Sequence, residues 1–218
     1  MKPVGSAPDE TAFDPSSLRL VVIVDLPDDG AVPLARVRAA LRGGATLIQV
    51  RGKRCSAIDL LAASRLLLPV CRETRVPLVV NDRPDVALAA GADGAHVGPD
   101  DLSPEAARRV LGTRALGVSA RLPDRVRLAE AAQASYLGVG ALRATGSKTE
   151  ATPIGSDGIR AIVVATRLPV VAIGGVRPED IPALKAIGVH GVAVVRGVMS
   201  AEDPERAARA YREAWDRA

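Results

Sequence analysis

Short apolar runs alternate with longer amphipathic segments along most of the chain. The runs are rich in Val, Ile, Leu and Ala and lack a polar face, which is typical of strands buried on both sides in a parallel sheet. They predict eight strands, at residues 18–25, 45–50, 77–81, 93–97, 115–119, 135–140, 169–175 and 190–195. The segments that follow them predict eight helices, at residues 33–44, 56–74, 84–91, 103–112, 124–133, about 156–167, 178–188 and 204–217.

Eight consecutive strand–helix units predict an α/β protein with a single (β/α)8 barrel, the TIM barrel. A doubly wound open sheet is the structural alternative, but no Gly-x-Gly-x-x-Gly follows the first strand. Residues 1–17 contain three prolines and scattered small polar residues, which predict a poorly ordered leader. The barrel domain is therefore expected to span residues 18–218.

Composition narrows the classes of partner. Aromatic residues make up only 2% of the chain, too few for the stacking platforms of single-stranded nucleic-acid binders. The net charge is +4, with 25 Arg and 4 Lys spread along the sequence, which suits a solvated surface and also anionic, phosphorylated substrates. We expect small-molecule phosphorylated substrates and no nucleic acid, and the sequence allows a homo-oligomer.

Cysteine usage and hydropathy indicate a cytoplasmic protein. The two cysteines, Cys55 and Cys71, are too few for a disulfide framework or a metal-binding quartet, and we expect reduced thiols. No apolar run approaches the length of a membrane span, and the N-terminal segment has no apolar signal-peptide centre.

The loops that follow the strands of such a barrel form one face, and that face carries the site. The residues at these strand ends that point to chemistry are Gln49, Arg51, Lys53, Asn81, Asp82, Asp101, Ser119, Thr145, Gly146, Ser147, Lys148, Gly174, Gly175, Val195 and Arg196. Two of the four lysines, Lys53 and Lys148, fall in these loops, where an ammonium group suits a phosphate oxygen. The glycine pair that ends the seventh predicted strand and the segment that ends the eighth predict a phosphate site made of backbone.

Asp82 and Asp101 follow neighbouring strands, so their carboxylates are candidates for a Mg²⁺ site completed by substrate phosphates. The alternative is structural: Asp82 caps the short helix at 84–91, and Asp101 lies in an ordinary turn. The two histidines, His96 and His190, lie within predicted strands and are expected to be core residues with satisfied hydrogen bonds. No Ser, Cys or His stands out as a nucleophile, which argues against covalent catalysis.

Several strings together resemble thiamine phosphate synthase, a family whose close relative is the thiazole tautomerase. They are LIQVRGK (47–53), VPLVVNDRPDVALAAGADGAHVGPDDL (76–102), LGVSA (116–120), YLGVGALRATGSK (136–148) and VVAIGGVRPEDIPALKAIGVHGVAVV (170–195). The resemblance implies a condensation in which hydroxymethylpyrimidine diphosphate loses pyrophosphate and the ring nitrogen of a thiazole phosphate attacks the resulting methylene. It also implies Mg²⁺ as the cofactor and a dissociative route through a pyrimidine-stabilised cation.

The resemblance assigns roles residue by residue. It implies that Arg51, Lys53, Ser119 and Lys148 are catalytic, and that with Gln49 and Asn81 they bind the pyrimidine diphosphate. Asp82 and Asp101 would hold Mg²⁺. The thiazole phosphate would be bound by Thr145, Gly146, Ser147, Gly175, Val195 and Arg196.

Some positions depart from the family pattern. Gly52 replaces an acidic residue, Pro99 a common Gln, and Arg196 a common Ser. The loop at 145–148 reads TGSK where TPTK is usual, so Gly146 makes that loop less preorganised. Arg121 stands where many relatives, including the tautomerase, have His.

Three alternatives to the synthase remain open. The tautomerase needs a general base near the thiazole rather than a clamp for diphosphate. Another phosphate-binding barrel enzyme is compatible with the fold, since fold does not determine function. A catalytically silent protein that senses thiamine intermediates would bind the same ligands without turnover.

Overall fold

A computed structural model describes residues 13–144 and 152–218. Its strands are β1 (Leu20–Asp25), β2 (Leu47–Arg51), β3 (Leu78–Asn81), β4 (Gly94–Val97), β5 (Ala115–Ser119), β6 (Tyr136–Gly140), β7 (Val170–Ile173) and β8 (Gly191–Val194). Its α-helices are α1 (Leu34–Arg42), α2 (Ala57–Glu73), α3 (Pro84–Ala90), α4 (Pro104–Leu111), α5 (Pro123–Ala131), α6 (Gly155–Ala165), α7 (Ile181–Ala186), α8 (Arg196–Met199) and α9 (Pro204–Arg217). Two 3-10 helices span Pro15–Leu18 and Pro178–Asp180.

The eight strands form a closed parallel barrel in sequence order. Each strand pairs with the next, and β8 pairs with β1 through Leu20↔Val192, Val21↔Ala193 and Val22↔Val194. Closure confirms the predicted (β/α)8 barrel and excludes the doubly wound open sheet. All the strand ends therefore meet at one mouth, as the sequence predicted.

Local sequence explains where several helices begin. Ser56 and Ser103 each accept a hydrogen bond from an amide of the first turn, of α2 and α4 respectively, and Asp203 does so for α9. Proline occupies the first position of α3, α4, α5 and α9, where its missing N–H costs no helical hydrogen bond.

The apolar residues form two layers separated by the sheet. Alternate strand residues such as Val22 and Val24 face the helices, whereas Val21 and Ile23 face the barrel interior. Because both faces are buried, the strands appear in the sequence as continuous apolar runs. Cys71 lies in the outer layer, where burial raises the pKa of its thiol to about 12 and makes it behave as a small hydrophobe.

The structure corrects the predicted elements in four places. Gly174 and Gly175 lie beyond β7, in the turn that follows it, and the helix predicted at 178–188 is a 3-10 turn followed by α7. A short helix that was not predicted, α8, follows β8 directly. Residues 13–17 of the predicted leader include most of the first 3-10 helix, which packs under the barrel.

The prediction for His190 was wrong. It precedes β8, is exposed, and its Nδ1 accepts a hydrogen bond from the Val170 amide at 3.3 Å. It therefore lies at the outer start of a strand rather than in the core. Within residues 13–144 and 152–218, no helix has both the length and the apolar composition needed to cross a bilayer.

Candidate active site

One amide side chain and one cationic side chain that are predicted to bind the pyrimidine diphosphate lie at the end of β2. Gln49 and Arg51 are both buried, and Gln49 Nε2 donates to Asn81 Oδ1 at the end of β3, at 3.2 Å. Arg51 Nη1 donates to both carboxylate oxygens of Asp25, at 2.8 Å each. Asp25 ends β1, and this ion pair holds the guanidinium in one position at the mouth.

Asp25 was missed by the sequence reasoning, which considered strand ends only from the second strand onward. The signal was present, because Asp25 is the one polar residue of an otherwise apolar strand and stands at its carboxyl end.

A cleft of about 570 Å³ lies between the loops after β1, β2 and β8. Its lining includes Arg51 and Lys53 from the predicted pyrimidine site and Val195 and Arg196 from the predicted thiazole phosphate site. The side chains of Lys53 and Arg196 line this cleft and form no hydrogen bond or ion pair with the residues that the structure describes. The cleft therefore suits an anion or two adjacent anions.

Asp82 and Asp101 each form a hydrogen bond with a residue at the carboxyl end of β4. The Asp82 amide donates to the His96 carbonyl at 2.7 Å, and Asp82 has a left-handed backbone with φ of 65°. Asp101 Oδ2 accepts from the Gly98 amide at 2.6 Å, one residue beyond the strand. Asp82 is not the N-cap residue of α3: that position is held by Arg83, whose side chain makes no capping hydrogen bond.

Asp101 does lie in a turn, and this does not exclude a metal role. In the described part of the chain its Oδ1 accepts no hydrogen bond. No cluster of three or more His, Cys, Asp or Glu groups in the described residues could hold a metal. Two carboxylates alone do not make a metal site, and Mg²⁺ commonly completes so small a set of protein ligands with phosphate oxygens and water.

Ser119 ends β5, and its hydroxyl forms a hydrogen bond with a buried histidine of the barrel. Its Oγ lies 2.9 Å from His96 Nε2, and His96 Nδ1 lies 3.3 Å from the Tyr136 hydroxyl. His96 is 9% exposed and has both ring nitrogens engaged, which confirms the prediction of a satisfied core histidine. Its contact with a predicted substrate-binding serine was not foreseen.

The turn after β7 is held by a residue that the sequence analysis passed over. Gly174 and Gly175 have φ values of 92° and 71°, which only glycine adopts without strain. Arg143, just after β6, donates from Nη1 to the Gly175 carbonyl at 3.1 Å and forms two 2.5 Å hydrogen bonds with the Asp180 carboxylate. The hydrogen bond with Arg143 is the main cause that lowers the pKa of Asp180 below its ordinary value.

Part of the predicted site lies outside the described residues, namely Thr145, Gly146, Ser147 and Lys148. Arg121, which stands in the position of the tautomerase histidine, is exposed and donates to the Thr152 carbonyl.

Comparison with known proteins identifies the family. The family model for thiamine monophosphate synthase matches residues 20–198, which is nearly the whole barrel. The chain belongs to the thiamine monophosphate synthase family. The resemblance read from the sequence strings is thereby confirmed.

Relatives of this synthase family resemble the chain over almost their full length. The thiamine-phosphate synthase of Moorella thermoacetica is 45% identical over 200 residues, covering 91% of this chain and 95% of the relative. That of Natronomonas pharaonis is 46% identical over 182 residues, covering 82% and 85%. The solved thiamine phosphate pyrophosphorylase from Pyrococcus furiosus superposes with a TM-score of 0.84 at 35% identity, covering 93% of this chain and 98% of that one.

Proposed function

We propose that this protein condenses hydroxymethylpyrimidine diphosphate with a thiazole phosphate to give thiamine phosphate and pyrophosphate. The observation that carries the proposal is one cleft lined by Arg51 and Lys53 on one side and by Val195 and Arg196 on the other. The first pair is predicted to bind the diphosphate and the second the thiazole phosphate. A shared cleft brings the two substrates together, which a condensation requires. Membership of the family supports the same reaction.

In the proposed reaction the bond between the pyrimidine methylene and the diphosphate oxygen breaks, and the diphosphate leaves with the electron pair. The thiazole ring nitrogen then donates its lone pair to the methylene carbon. Negative charge on the leaving group grows in this step, so fixed cations stabilise its transition state. Arg51, which Asp25 holds in place, supplies that charge without having to reorganise, and Lys53 adds a second cation at the cleft.

The two aspartates fit a magnesium ion by the chemistry of their donors. Asp82 and Asp101 would hold it with hard carboxylate oxygens, and substrate phosphates would supply the remaining ligands. When bound, Mg²⁺ neutralises charge on the diphosphate oxygens.

The thiazole phosphate would lie against the turn at Gly174–Gly175 and the start of α8. Glycine lets a phosphate approach the backbone closely. Arg196 adds a guanidinium at the edge of the same cleft, where the family commonly has a serine. Thr145, Gly146, Ser147 and Lys148 complete the proposed set by resemblance.

The test is a coupled assay on purified protein. Both substrates are supplied with and without Mg²⁺, and thiamine phosphate and released pyrophosphate are quantified together. The proposal expects equal amounts of both products, formed only with Mg²⁺. No product from folded protein would overturn it, and interconversion of thiazole tautomers without pyrophosphate release would identify the tautomerase instead.

A further inference from the structure

Four side chains form a continuous column through the barrel, from its N-terminal end to the mouth. The Phe13 ring stacks on Tyr136 with 5.9 Å between ring centroids and 21° between planes. The Tyr136 hydroxyl lies 3.3 Å from His96 Nδ1, and His96 Nε2 lies 2.9 Å from Ser119 Oγ. We refer to Phe13, Tyr136, His96 and Ser119 as the Phe13–Ser119 column.

Glycines on adjacent strands leave room for this column. His96, Gly117 and Tyr136 are successive register partners on β4, β5 and β6. A Cβ on Gly117 would lie 2.3 Å from Tyr136 Cζ and 2.4 Å from His96 Nδ1, and a Cβ on Gly138 would lie 2.9 Å from His96 Cε1. The two rings therefore fill space that the glycines leave empty, and small movements of Tyr136 are transmitted to His96.

The hydrogen bonds in the column have a preferred direction. Burial raises the pKa of the Tyr136 hydroxyl, so it stays protonated. A phenol is a stronger acid than an imidazole N–H, so we assign the Tyr136 O–H as the donor and His96 Nδ1 as the acceptor. The imidazole proton then resides on Nε2 and is donated to Ser119 Oγ, because the hydrogen bond at one ring nitrogen determines the tautomer. The Ser119 hydroxyl accepts this hydrogen bond, so its own O–H can donate to a group at the mouth of the barrel.

Phe13 supports the column from below. It is the only phenylalanine of the chain and packs with Leu18 against the cluster that fills the barrel interior. The 3-10 helix between them is fixed by Asp14, whose carboxylate accepts from the Ser16 amide at 2.8 Å. The segment from Phe13 to Leu18 therefore places a ring against the lower face of Tyr136.

We propose that Phe13 is a positioning residue for the reaction, acting through Tyr136 and His96 on the hydroxyl of Ser119. The proposal rests on the proposed function in one respect, which is that Ser119 contacts the pyrimidine substrate. It gives the segment before β1 a role in substrate recognition at the opposite end of the barrel.

The first test reads the column directly by NMR of the ¹⁵N-labelled protein. The chain has two histidines, so long-range ¹H–¹⁵N correlation at one pH resolves both rings. We expect the Nε2–H tautomer for His96 in the parent protein. Phe13→Ala should shift the His96 nitrogens and leave those of His190 unchanged, whereas Phe13→Leu should restore most of the parent spectrum.

The second test reads the site by steady-state kinetics. Phe13→Ala should raise KM for the pyrimidine diphosphate about tenfold and leave KM for the thiazole phosphate unchanged. Leu111→Ala is the matched control, because Leu111 is buried in the outer layer and its loss lowers the melting temperature without touching the column. Its His96 signals and both KM values should match those of the parent.

Tyr136→Phe provides a second variant that keeps the ring and removes the hydroxyl. It should move the His96 nitrogens whether or not Phe13→Ala folds. An Nδ1–H tautomer in the parent, or unchanged His96 nitrogens in Tyr136→Phe and in a folded Phe13→Ala, would overturn the proposal. Absence of thiamine phosphate from the parent would instead overturn the proposed function, and the NMR result would still decide the column.

Discussion

At the scale of the residue, Arg51 carries the most constrained charge among the described residues of the candidate site. Its side chain is only 10% exposed, and Asp25, 39% exposed, provides its counter-charge. A buried guanidinium without a partner is costly, so the pair is held together by the penalty of separating it. A diphosphate entering the cleft offers Arg51 a second anionic partner.

Asp25→Asn should lower the free energy of unfolding by about 2 kcal/mol, because Arg51 loses its counter-charge in a mostly buried place. Pyrophosphate with Mg²⁺ should raise the melting temperature of the variant more than that of the parent, since the ligand replaces the missing charge. Thermal unfolding with and without pyrophosphate checks both statements.

Asp28→Asn is the control for this prediction. Its partner Arg54 lines the same cleft, but both side chains are largely exposed, at 63% and 79%, so the variant should behave like the parent. Equal stability of Asp25→Asn and Asp28→Asn would contradict the role given to Asp25.

The two aspartates that follow β3 and β4 lead to a second prediction. Asp82→Asn and Asp101→Ala should each abolish Mg²⁺-dependent turnover with the fold intact. Asp101→Asn separates two roles, because its amide oxygen still accepts from the Gly98 amide while its charge is lost. We expect it to be as inactive as Asp101→Ala but more stable.

Turnover is measured across a Mg²⁺ titration. Asp100→Asn is the matched control, since Asp100 is an exposed neighbour of Asp101 and should retain parent activity. Near-normal turnover of Asp82→Asn or Asp101→Asn at low Mg²⁺ would show that the metal is held elsewhere.

At the scale of the element, Arg143 joins the loop after β6 to the turn after β7. Besides its side-chain bonds to Asp180 and Gly175, its amide donates to the Gly174 carbonyl at 2.9 Å. Asp180 also accepts from the Arg177 amide at 2.8 Å, which fixes the start of the 3-10 turn. The glycine turn is thus held from both sides.

Arg143→Met should raise KM for the thiazole phosphate several-fold and leave KM for the pyrimidine diphosphate unchanged, because only the turn after β7 loses its support. Steady-state kinetics with each substrate varied in turn measures the split. Arg177→Met is the control, since Arg177 and Glu179 are both about two-thirds exposed and 3.8 Å apart. Equal rises in both KM values would indicate general loosening instead.

The same pair predicts a pH dependence of stability. The pKa of Asp180 is lowered from 3.8 mainly by its hydrogen bond with Arg143, so the stabilisation is complete above that pH and is lost as pH falls through the lower, folded value. Arg143 is 45% exposed, and we expect a difference of about 1 kcal/mol between parent and Arg143→Met at pH 7. Urea unfolding should show that difference shrinking on acidification below the ordinary aspartate pKa.

At the scale of the whole molecule, stability depends on closing the barrel between β8 and β1. Gly191 begins β8, and a Cβ there would lie 1.7 Å from the Leu18 carbonyl oxygen. That oxygen is a backbone atom, so the clash cannot be relieved by the movement of a flexible side chain. The segment beneath β1 and the start of β8 can approach each other only because residue 191 is glycine.

Gly191→Ala should therefore destabilise the protein by about 3 kcal/mol or more, since backbone has to shift. Gly155→Ala is the control, because its added Cβ meets no atom of the described residues within 4 Å and the cost of a left-handed alanine at φ of 64° is about 1 kcal/mol. Urea unfolding of both variants measures the difference. Similar decreases in the free energy of unfolding for the two variants would mean that the contact between β8 and the segment before β1 adjusts without strain.

The eight strand–helix units and several of the residues at the mouth could be predicted from the sequence alone. The burial of an apolar run such as residues 18–25 can be predicted from its local sequence alone. A serine followed by a proline, as at positions 103 and 104, likewise predicts the start of a helix. Because parallel strands all end on one side, Gln49, Arg51, Asn81 and Ser119 could be assigned to one face without coordinates.

Tertiary structure decided which of these groups touch. The partners Asp25 and Arg51, Arg143 and Asp180, and Phe13 and Tyr136 are separated along the chain by whole elements, and no local pattern encodes their distances. His190 shows the same limit, since a histidine at the edge of an apolar run is buried or exposed according to where the strand begins. Strand register and barrel closure set these contacts, because hydrogen bonds and packing depend on separation in space and not in sequence.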